Sequence, residues 1–154
     1  MPEANSPHAG ERTKPADLHI SRVIDAPRRL VFEAWSKAEH LSRWFAPAPL
    51  TVPRCDLDFR PGGVFRVVMR APDGTEYPFE GSFREVVAPE MIVFEGLIHG
   101  DNHSVTTVTF EEANGKTTLR VHQTYTFASD ATRGATQGWT ATLDQLAAHV
   151  AARS

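Results

Sequence analysis

Two histidines and an aspartate that could bind a metal ion lie two residues apart, at His99, Asp101 and His103. Imidazole and carboxylate groups are common zinc ligands, but a metal site usually draws three or four ligands from several elements. The chain has no HExxH motif to complete this one. The Gly-Asp-Asn sequence at 100–102 has the composition of a turn between two strands. The sequence therefore predicts an exposed turn here, with no metal site and no cofactor.

Nucleophilic catalysis has no recognisable motif in this chain. The sequence contains neither a GxSxG nucleophile elbow nor a glycine-rich phosphate loop of the Walker type. The single cysteine, Cys55, shares the alternation of Leu57 and Phe59, which predicts a buried and unreactive thiol. One cysteine also excludes an internal disulfide and any multi-cysteine zinc or iron–sulfur site. We therefore assign no catalytic residue.

Three polar side chains could orient a ligand or carry acid–base chemistry inside the fold. Gln123 and Arg22 each fall on the apolar face of a predicted strand. Because an unpaired buried guanidinium is costly, we expect Arg22 to be paired, to lie at the sheet margin or to face an anionic ligand. Glu80 is out of phase with Phe79 and would point inward only if a bulge near Gly81 turned it. The sequence assigns no role to Arg22 or Glu80.

Large apolar side chains on the buried faces of the predicted elements are the most informative feature. A packed core explains any one of them, but a long helix laid across a strongly curved sheet leaves space at one end, and an apolar pocket with few polar groups is an ordinary small-molecule site. We expect Trp139 to face both core and cavity, Trp44 to face it from a partly exposed lid, and Gly138 to let the helix approach the sheet closely. The predicted ligand-binding residues are Trp44, Phe45, Phe65, Val67, Met69, Tyr77, Phe79, Phe94, Gln123, Trp139 and Leu143.

The elements that would position these residues follow from hydrophobic periodicity and turn chemistry. Alternation predicts a first strand from Leu18 to Ile24, with His19 on its outer face, and a strand after Asn114-Gly115 with His122 on its outer face. Pro27 opens a short helix, and the capping-box spacing of Ser36 and Glu39 begins a second one. Residues 51–126 predict about six strands joined by short turns, followed by a long helix. Consecutive strands with short turns indicate an antiparallel meander in an α+β fold.

Length and composition describe an ordinary globular domain. The chain has 154 residues, with 41% hydrophobic and 23% charged residues, which is enough to bury a core in one domain. A net charge of −3 argues against nucleic acid or an anionic membrane as the main partner. Residues 1–16 are polar and proline-rich, which predicts a disordered tail before a domain at 17–152. We expect a cytoplasmic protein, because residues 1–16 do not form a signal peptide and no apolar run is long enough to span a bilayer.

Several short motifs, in order, carry a resemblance to a known family. The chain resembles the single-domain homologues of the activator of the heat-shock protein 90 ATPase, in the START-like (SRPBCC) superfamily with the helix-grip fold. The resemblance implies a curved antiparallel sheet of six to seven strands around a long C-terminal helix, two short helices after the first strand, a cavity for an apolar ligand and a link to the stress response. The motifs are Ala26-Pro27, Val31-Phe32, His40-Leu41-Ser42-Arg43-Trp44-Phe45, Pro61-Gly62-Gly63-Val64-Phe65-Arg66, Ala71-Pro72-Asp73-Gly74, Gly81 before Glu85-Val86-Val87-Ala88-Pro89-Glu90, and Gly138-Trp139 with Leu143 and Leu146.

Three functions remain open at the level of sequence. The favoured one is binding of an apolar or amphipathic small molecule without chemistry. The alternatives are a cavity enzyme of the cyclase or hydrolase type and an interaction module that acts on a chaperone or another protein. An inward carboxylate or histidine in an open pocket would favour the enzyme, and a closed interior with a large exposed apolar patch would favour the interaction module. We expect a monomer or a homodimer.

Overall fold

The described residues form seven strands and three helices, which follow one another in the predicted order. The computed structural model describes residues 16–98, 102–126 and 134–153. The elements are β1 (Ala16–Ile24), α1 (Arg28–Ser36), α2 (Ala38–Trp44), β2 (Thr51–Leu57), β3 (Val64–Arg70), β4 (Glu76–Val87), β5 (Met91–Ile98), β6 (Asn102–Ala113), β7 (Lys116–Tyr125) and α3 (Ala135–Arg153). Ala16 already pairs with Tyr125 in the sheet, and the rest of the predicted tail lies outside the described residues. Within these ranges no helix combines the length and apolar character that crossing a membrane requires.

All seven strands form one curved antiparallel sheet, so the predicted α+β helix-grip fold is confirmed. The strand order is β1-β7-β6-β5-β4-β3-β2, in which β2 to β7 form a meander and β1 pairs with the last strand. The hairpin between β6 and β7 turns at Asn114 and Gly115, whose φ angles of 55° and 75° are those that an Asn-Gly turn favours. The strands β1 and β2 are therefore the two edges of the sheet.

The two short helices are separate, as predicted, but the second does not begin with a capping box. Pro27 is the N-cap of α1 and the chain becomes extended at Lys37 before α2 begins. The predicted pairing of Ser36 with Glu39 is wrong. The Ser36 hydroxyl instead donates to the backbone oxygen of Glu33 at 3.2 Å, which places it at the end of α1, and Lys37 becomes the N-cap of α2.

Trp35 of α1 lies at the centre of an aromatic core between the helices and the sheet. Its ring centroid lies 4.8 Å from that of Trp44, 6.3 Å from that of Phe110 and 6.1 Å from that of Trp139. Trp44 is fully buried, at 0% exposure, and its indole N–H donates to the backbone oxygen of Ala34 at 3.1 Å. The prediction that Trp44 forms a partly exposed lid is wrong, because its ring is buried in the core and packs edge-on against Trp35 of α1 and against Phe45.

The long helix α3 closes the core from one side of the sheet. Leu143, Leu146 and Val150 are buried, as their helical spacing predicts. The Arg22 guanidinium of β1 forms an ion pair with the Asp144 carboxylate of α3. Arg22 is thus both paired and at the margin of the sheet, two of the three expectations for it, and it joins the edge strand to the helix.

Replacement of Trp44 by alanine tests whether this ring is core rather than lid. We expect Trp44→Ala to lower the free energy of unfolding by about 3–5 kcal/mol, because it removes a fully buried indole and leaves a cavity. Urea denaturation measures the change. Tyr77→Ala is the control, because that ring is 46% exposed and should cost far less. Equal losses in the two variants would contradict the placement of Trp44.

Candidate ligand-binding cavity

A cavity of about 490 Å³ lies between the N-terminal half of α3 and the inner face of the sheet. Its wall is contributed by the loop after α2, by β3, β4, β5 and β7, and by α3. The lining is mainly apolar and aromatic, which is typical of a small-molecule site. The lining residues are Phe45, Pro47, Leu50, Met69, Glu76, Tyr77, Pro78, Phe79, Phe94, Leu97, Gln123, Ala135, Gly138, Trp139 and Thr142.

The cavity lies beside the first turns of α3, where the inward side chains other than Trp139 are small. Leu143 and Leu146, farther along the helix, are packed in the core, whereas Gly138 places no side chain over the sheet. A Cβ atom built on Gly138 would meet nothing within 4 Å. The predicted close approach of helix and sheet at Gly138 is therefore wrong, and this glycine faces open space.

A second glycine shapes the floor of the cavity from the sheet. A Cβ atom built on Gly96 of β5 would lie 2.6 Å from Cζ of Phe79 and 2.7 Å from the backbone oxygen of Glu80, closer than real Cβ contacts. Phe79 of the neighbouring strand β4 can therefore lie over the backbone of β5. Its ring packs edge-on against Phe65 and Phe94, with centroid distances of 5.6 and 6.2 Å. The aromatic floor is thus continuous with the core.

The mouth of the cavity is partly apolar and carries one carboxylate. Tyr77 and Leu97 line the mouth and are 46% and 48% exposed. Glu76, beside Tyr77, accepts hydrogen bonds from the Arg70 guanidinium at 2.6 and 3.0 Å. Its charge is therefore compensated at the rim rather than directed into the interior.

Gln123 supplies the polar group on the inner wall, and each end of its amide is engaged by protein groups. Its amide nitrogen donates to the Thr106 hydroxyl at 2.7 Å, and its amide oxygen accepts from the Trp139 indole N–H at 3.2 Å and from the Tyr125 hydroxyl. Burial raises the pKa of Tyr125 well above its ordinary value, so its hydroxyl stays protonated and remains a donor. The network holds the Trp139 ring in place and leaves the cavity largely apolar.

Two side chains of α3, Thr142 and Gln145, bond to the segment that forms the opposite wall. The Thr142 hydroxyl donates to the backbone oxygen of Phe45 at 3.4 Å. The Gln145 amide nitrogen donates to the backbone oxygens of Trp44 and Ala46 at 3.0 and 2.6 Å. Its amide oxygen accepts from the backbone N–H of Ala48 at 2.9 Å. Pro47 and Leu50 of this segment line the cavity. Thr142 and Gln145 therefore set the distance between this wall and the helix.

Seven of the eleven residues predicted for ligand binding line this cavity, and four lie elsewhere. The four are buried in the core beside the cavity rather than on its surface: Trp44, Phe65, Val67 and Leu143. The seven lining residues are Phe45, Met69, Tyr77, Phe79, Phe94, Gln123 and Trp139. Contact of either group with a ligand stays a prediction.

The lining residues that sequence reasoning missed come from three places, one of which is the neighbouring strands β4 and β5, with Glu76, Pro78 and Leu97. Pro47 and Leu50 lie in a loop whose path no periodicity describes, and Thr142 is the polar neighbour of Leu143 on α3. Ala135 lies four residues before Trp139 and three before Gly138, which are the spacings of neighbours on a helix surface. The small size of Ala135 and Gly138 conceals that signal.

The other predicted polar groups lie outside the cavity. Glu80 is out of phase with Phe79, as the alternation predicts, and lies on the outer face opposite Arg66, with the guanidinium 3.3 Å from its carboxylate. The irregularity in β4 lies between Phe83 and Glu85 rather than near Gly81. His99 and Asp101 lie outside the described residues, and His103 is exposed, with its Nε2 atom 2.9 Å from the Glu95 carboxylate.

Comparison with known proteins identifies relatives over nearly the whole described chain. The family model for "Activator of Hsp90 ATPase homolog 1-like protein" matches residues 25–151. No curated protein sequence matches significantly. A solved structure from Chromobacterium violaceum has a TM-score of 0.80 at 26% identity and covers 87% of this chain and 96% of its own. One from Rhizobium leguminosarum has a TM-score of 0.73 at 30% identity, covering 89% and 95%. The AHSA1 protein from Silicibacter pomeroyi has a TM-score of 0.75 at 26% identity, covering 90% and 100%.

Removal of the Gln123 amide tests whether the network stabilises the inner wall. We expect Gln123→Leu to lower the free energy of unfolding, because three partners lose their hydrogen bonds and each buried unsatisfied group costs about 1–3 kcal/mol. Denaturation in urea measures the loss. Thr124→Val, at the adjacent outward position, is the matched control and should have little effect. A loss no larger than that of the control would show that the network does not stabilise the fold.

The thiol of Cys55 is expected to react slowly at neutral pH. Burial, with a smaller contribution from the Asp56 charge, raises the pKa of Cys55 to about 11, so the reactive thiolate is scarce below that pH. Alkylation by iodoacetamide, followed by mass spectrometry, should accelerate about tenfold per pH unit between about pH 8 and 10. Protein unfolded in urea is the control and should react faster. A native rate equal to the unfolded rate would contradict this assignment.

Proposed function

This chain belongs to the family of Activator of Hsp90 ATPase homolog 1-like proteins, and on that premise we propose that it binds one small apolar or amphipathic molecule in its cavity. The binding involves no chemical conversion of the ligand and takes place in the cytoplasm. The observation that carries the proposal is the cavity of about 490 Å³ between α3 and the sheet. Its volume falls within the range of about 300–1,000 Å³ that is usual for small-molecule sites.

The distribution of polar groups supports a ligand with an apolar body. The Gln123 amide on the inner wall already bonds to Thr106, Tyr125 and Trp139. A ligand that brought its own donor or acceptor to this wall would bury it without a ready partner, which is costly. Polar atoms are better accommodated at the mouth, where Tyr77 and Glu76 meet solvent. The apolar end of an amphipathic ligand therefore faces Trp139 and its polar end faces the mouth.

The ionisable groups of the cavity support binding over catalysis. Among the described residues, Glu76 and Tyr77 are the lining side chains that can exchange protons. Both lie at the mouth, and the Glu76 carboxylate is paired with Arg70. General acid–base catalysis needs a group within hydrogen-bond reach of the reacting atom, and an apolar ligand seated against Trp139 would lie away from both.

Docking of a partner protein has less support from the described surface. The family description refers to an activator of a chaperone ATPase. The large apolar side chains that are exposed in the described part of the chain are Val23, Tyr77, Val87 and Leu97. Tyr77 and Leu97 belong to the mouth of the cavity, whereas Val23 and Val87 lie on other parts of the sheet. This distribution fits a ligand entrance better than an extended interface.

A side chain added at Gly138 tests the proposal, because its Cβ atom would meet no protein atom within 4 Å and the longer side chain would occupy part of the cavity. We expect Gly138→Leu to abolish binding of the neutral fluorescent probe N-phenyl-1-naphthylamine to the full chain. Stability should not fall, because glycine costs a helix about 1 kcal/mol relative to other residues. Gly134→Leu is the matched control, since Gly134 precedes the same helix, is equally free of neighbours and does not line the cavity. Its probe binding should equal that of the wild type.

Native mass spectrometry of freshly purified protein provides an independent measurement. We expect a mass increment in the wild type and in Gly134→Leu that is lost in Gly138→Leu. Equal probe binding by all three proteins would overturn the proposal, because the probe would then bind outside this cavity. Absence of both probe binding and a mass increment in the wild type would also overturn it.

A further inference from the structure

Three metal-ligating side chains meet on the outer face of the sheet, away from the cavity. His19 of β1 lies directly opposite His122 of β7 in the antiparallel ladder. Asp17 precedes His19 by two residues and therefore projects from the same face. These three residues, called here the Asp17/His19/His122 cluster, have their ligand atoms within 4.8 Å of one another. The predicted function uses none of them.

The distances within the cluster suit a shared cation. One Asp17 oxygen, Oδ2, lies 3.5 Å from Nε2 of His19 and 3.3 Å from Nε2 of His122. Both contacts are longer than the roughly 2.7–2.9 Å of a charge-assisted hydrogen bond. Zinc binds imidazole nitrogen at about 2.0–2.1 Å and carboxylate oxygen at about 2.0–2.2 Å, so two of its tetrahedral ligands lie about 3.4 Å apart. The distance from Asp17 Oδ2 to each histidine nitrogen thus matches the separation of two ligands bound to one zinc ion.

The surroundings leave room for an ion and for the small movement that it requires. The two imidazole rings are stacked, with centroids 4.0 Å apart and planes 7° apart. They must tilt toward each other before their nitrogen lone pairs converge. They lie over a shallow hollow whose other members include the short side chains Ser21, Thr107 and Thr109. Such small neighbours permit the tilt.

One cationic side chain, Arg120, lines the same hollow as His19 and His122, and it is paired with a carboxylate. Arg120 projects from the same face of β7, two residues before His122, and would repel a metal ion if its charge were free. Its guanidinium instead donates to the Glu111 carboxylate at 3.1 Å. The Asp17 carboxylate is therefore available to compensate the charge of a bound cation.

We propose that Asp17, His19 and His122 form a binding site for a divalent transition-metal ion, with zinc as the ion that the nitrogen and oxygen ligands favour. Two imidazole nitrogens and one carboxylate oxygen supply three positions, and water fills the fourth on the solvent side. Ligands from β1 and β7 make the ion a cross-link between the edge strand and its neighbour.

Zinc titration of the full chain tests the site directly, without an affinity tag that could bind metal. Calorimetry at about pH 7.5, where protons compete little for imidazole, should give one zinc ion per wild-type chain. We expect His19→Ala and His122→Ala each to weaken binding at least about tenfold, because each removes one of three ligands. His103→Ala is the matched control, since His103 and Glu95 form an exposed imidazole–carboxylate pair that lacks a second histidine. Its affinity should equal that of the wild type.

Two further measurements separate this site from zinc bound elsewhere. Excess zinc should raise the midpoint of thermal unfolding of the wild type and of His103→Ala, because the ion binds only where β1 is paired with β7 in the native state. The midpoint of His122→Ala should not rise. Cobalt in place of zinc should give the wild type the visible absorption of tetrahedral coordination. The same absorption should be missing from His19→Ala and His122→Ala. Circular dichroism confirms that the variants are folded. The proposal is overturned if the wild type binds no zinc, or if His122→Ala binds it as tightly as the wild type.

Discussion

The packing around Trp35 determines where this protein is filled and where it is hollow. Its ring contacts Trp44 of α2, Phe110 of β6 and Trp139 of α3, so both short helices, the sheet and the long helix meet on one side chain. Because protein interiors pack to high density, the large rings occupy the space on that side. Beyond Trp139, α3 presents Gly138 and Ala135, which are too small to reach the sheet. The cavity is therefore the region that the aromatic cluster does not occupy.

Trp139 connects this packed region to the polar wall of the cavity. One edge of its ring donates to Gln123, and its face stacks on Trp35 at an interplanar angle of 20°. Both contacts constrain the same ring, so a change in the hydrogen-bond network moves the boundary between core and cavity. Gln123 in turn bonds to Thr106 on β6 and to Tyr125 near the end of β7. The shape of the inner wall thus depends on bonds between two strands and a helix, which is why the cavity is preformed.

Local patterns predicted the elements well, and contacts between elements explain what they could not predict. The Asn114-Gly115 turn and the buried stripe of α3 follow from backbone conformation and helical spacing, which are properties of short segments. The burial of Trp44 does not, because periodicity identifies the inward face of a helix but not which neighbouring element covers it. The same reason applies to Gly138, because a small residue on the inward face of a helix permits close contact but does not determine it. The path of the loop around Pro47 depends on the bonds of Gln145, a residue about 100 positions away.

Register explains why the outer-face cluster escaped sequence reasoning altogether. Alternation placed both His19 and His122 on outer faces, yet they are 103 positions apart and only the pairing of β1 with β7 brings them opposite each other. A shift of one residue would move His19 to the inner face and separate the pair. That register is maintained by the inward neighbours Leu18 and Ile20, by the buried residues of β7 and by the ion pair of Arg22 with Asp144. The core on one face of the sheet therefore positions the candidate metal ligands on the other. Since Gln123 and His122 are consecutive residues that point in opposite directions, β7 serves both sites without placing their side chains in contact.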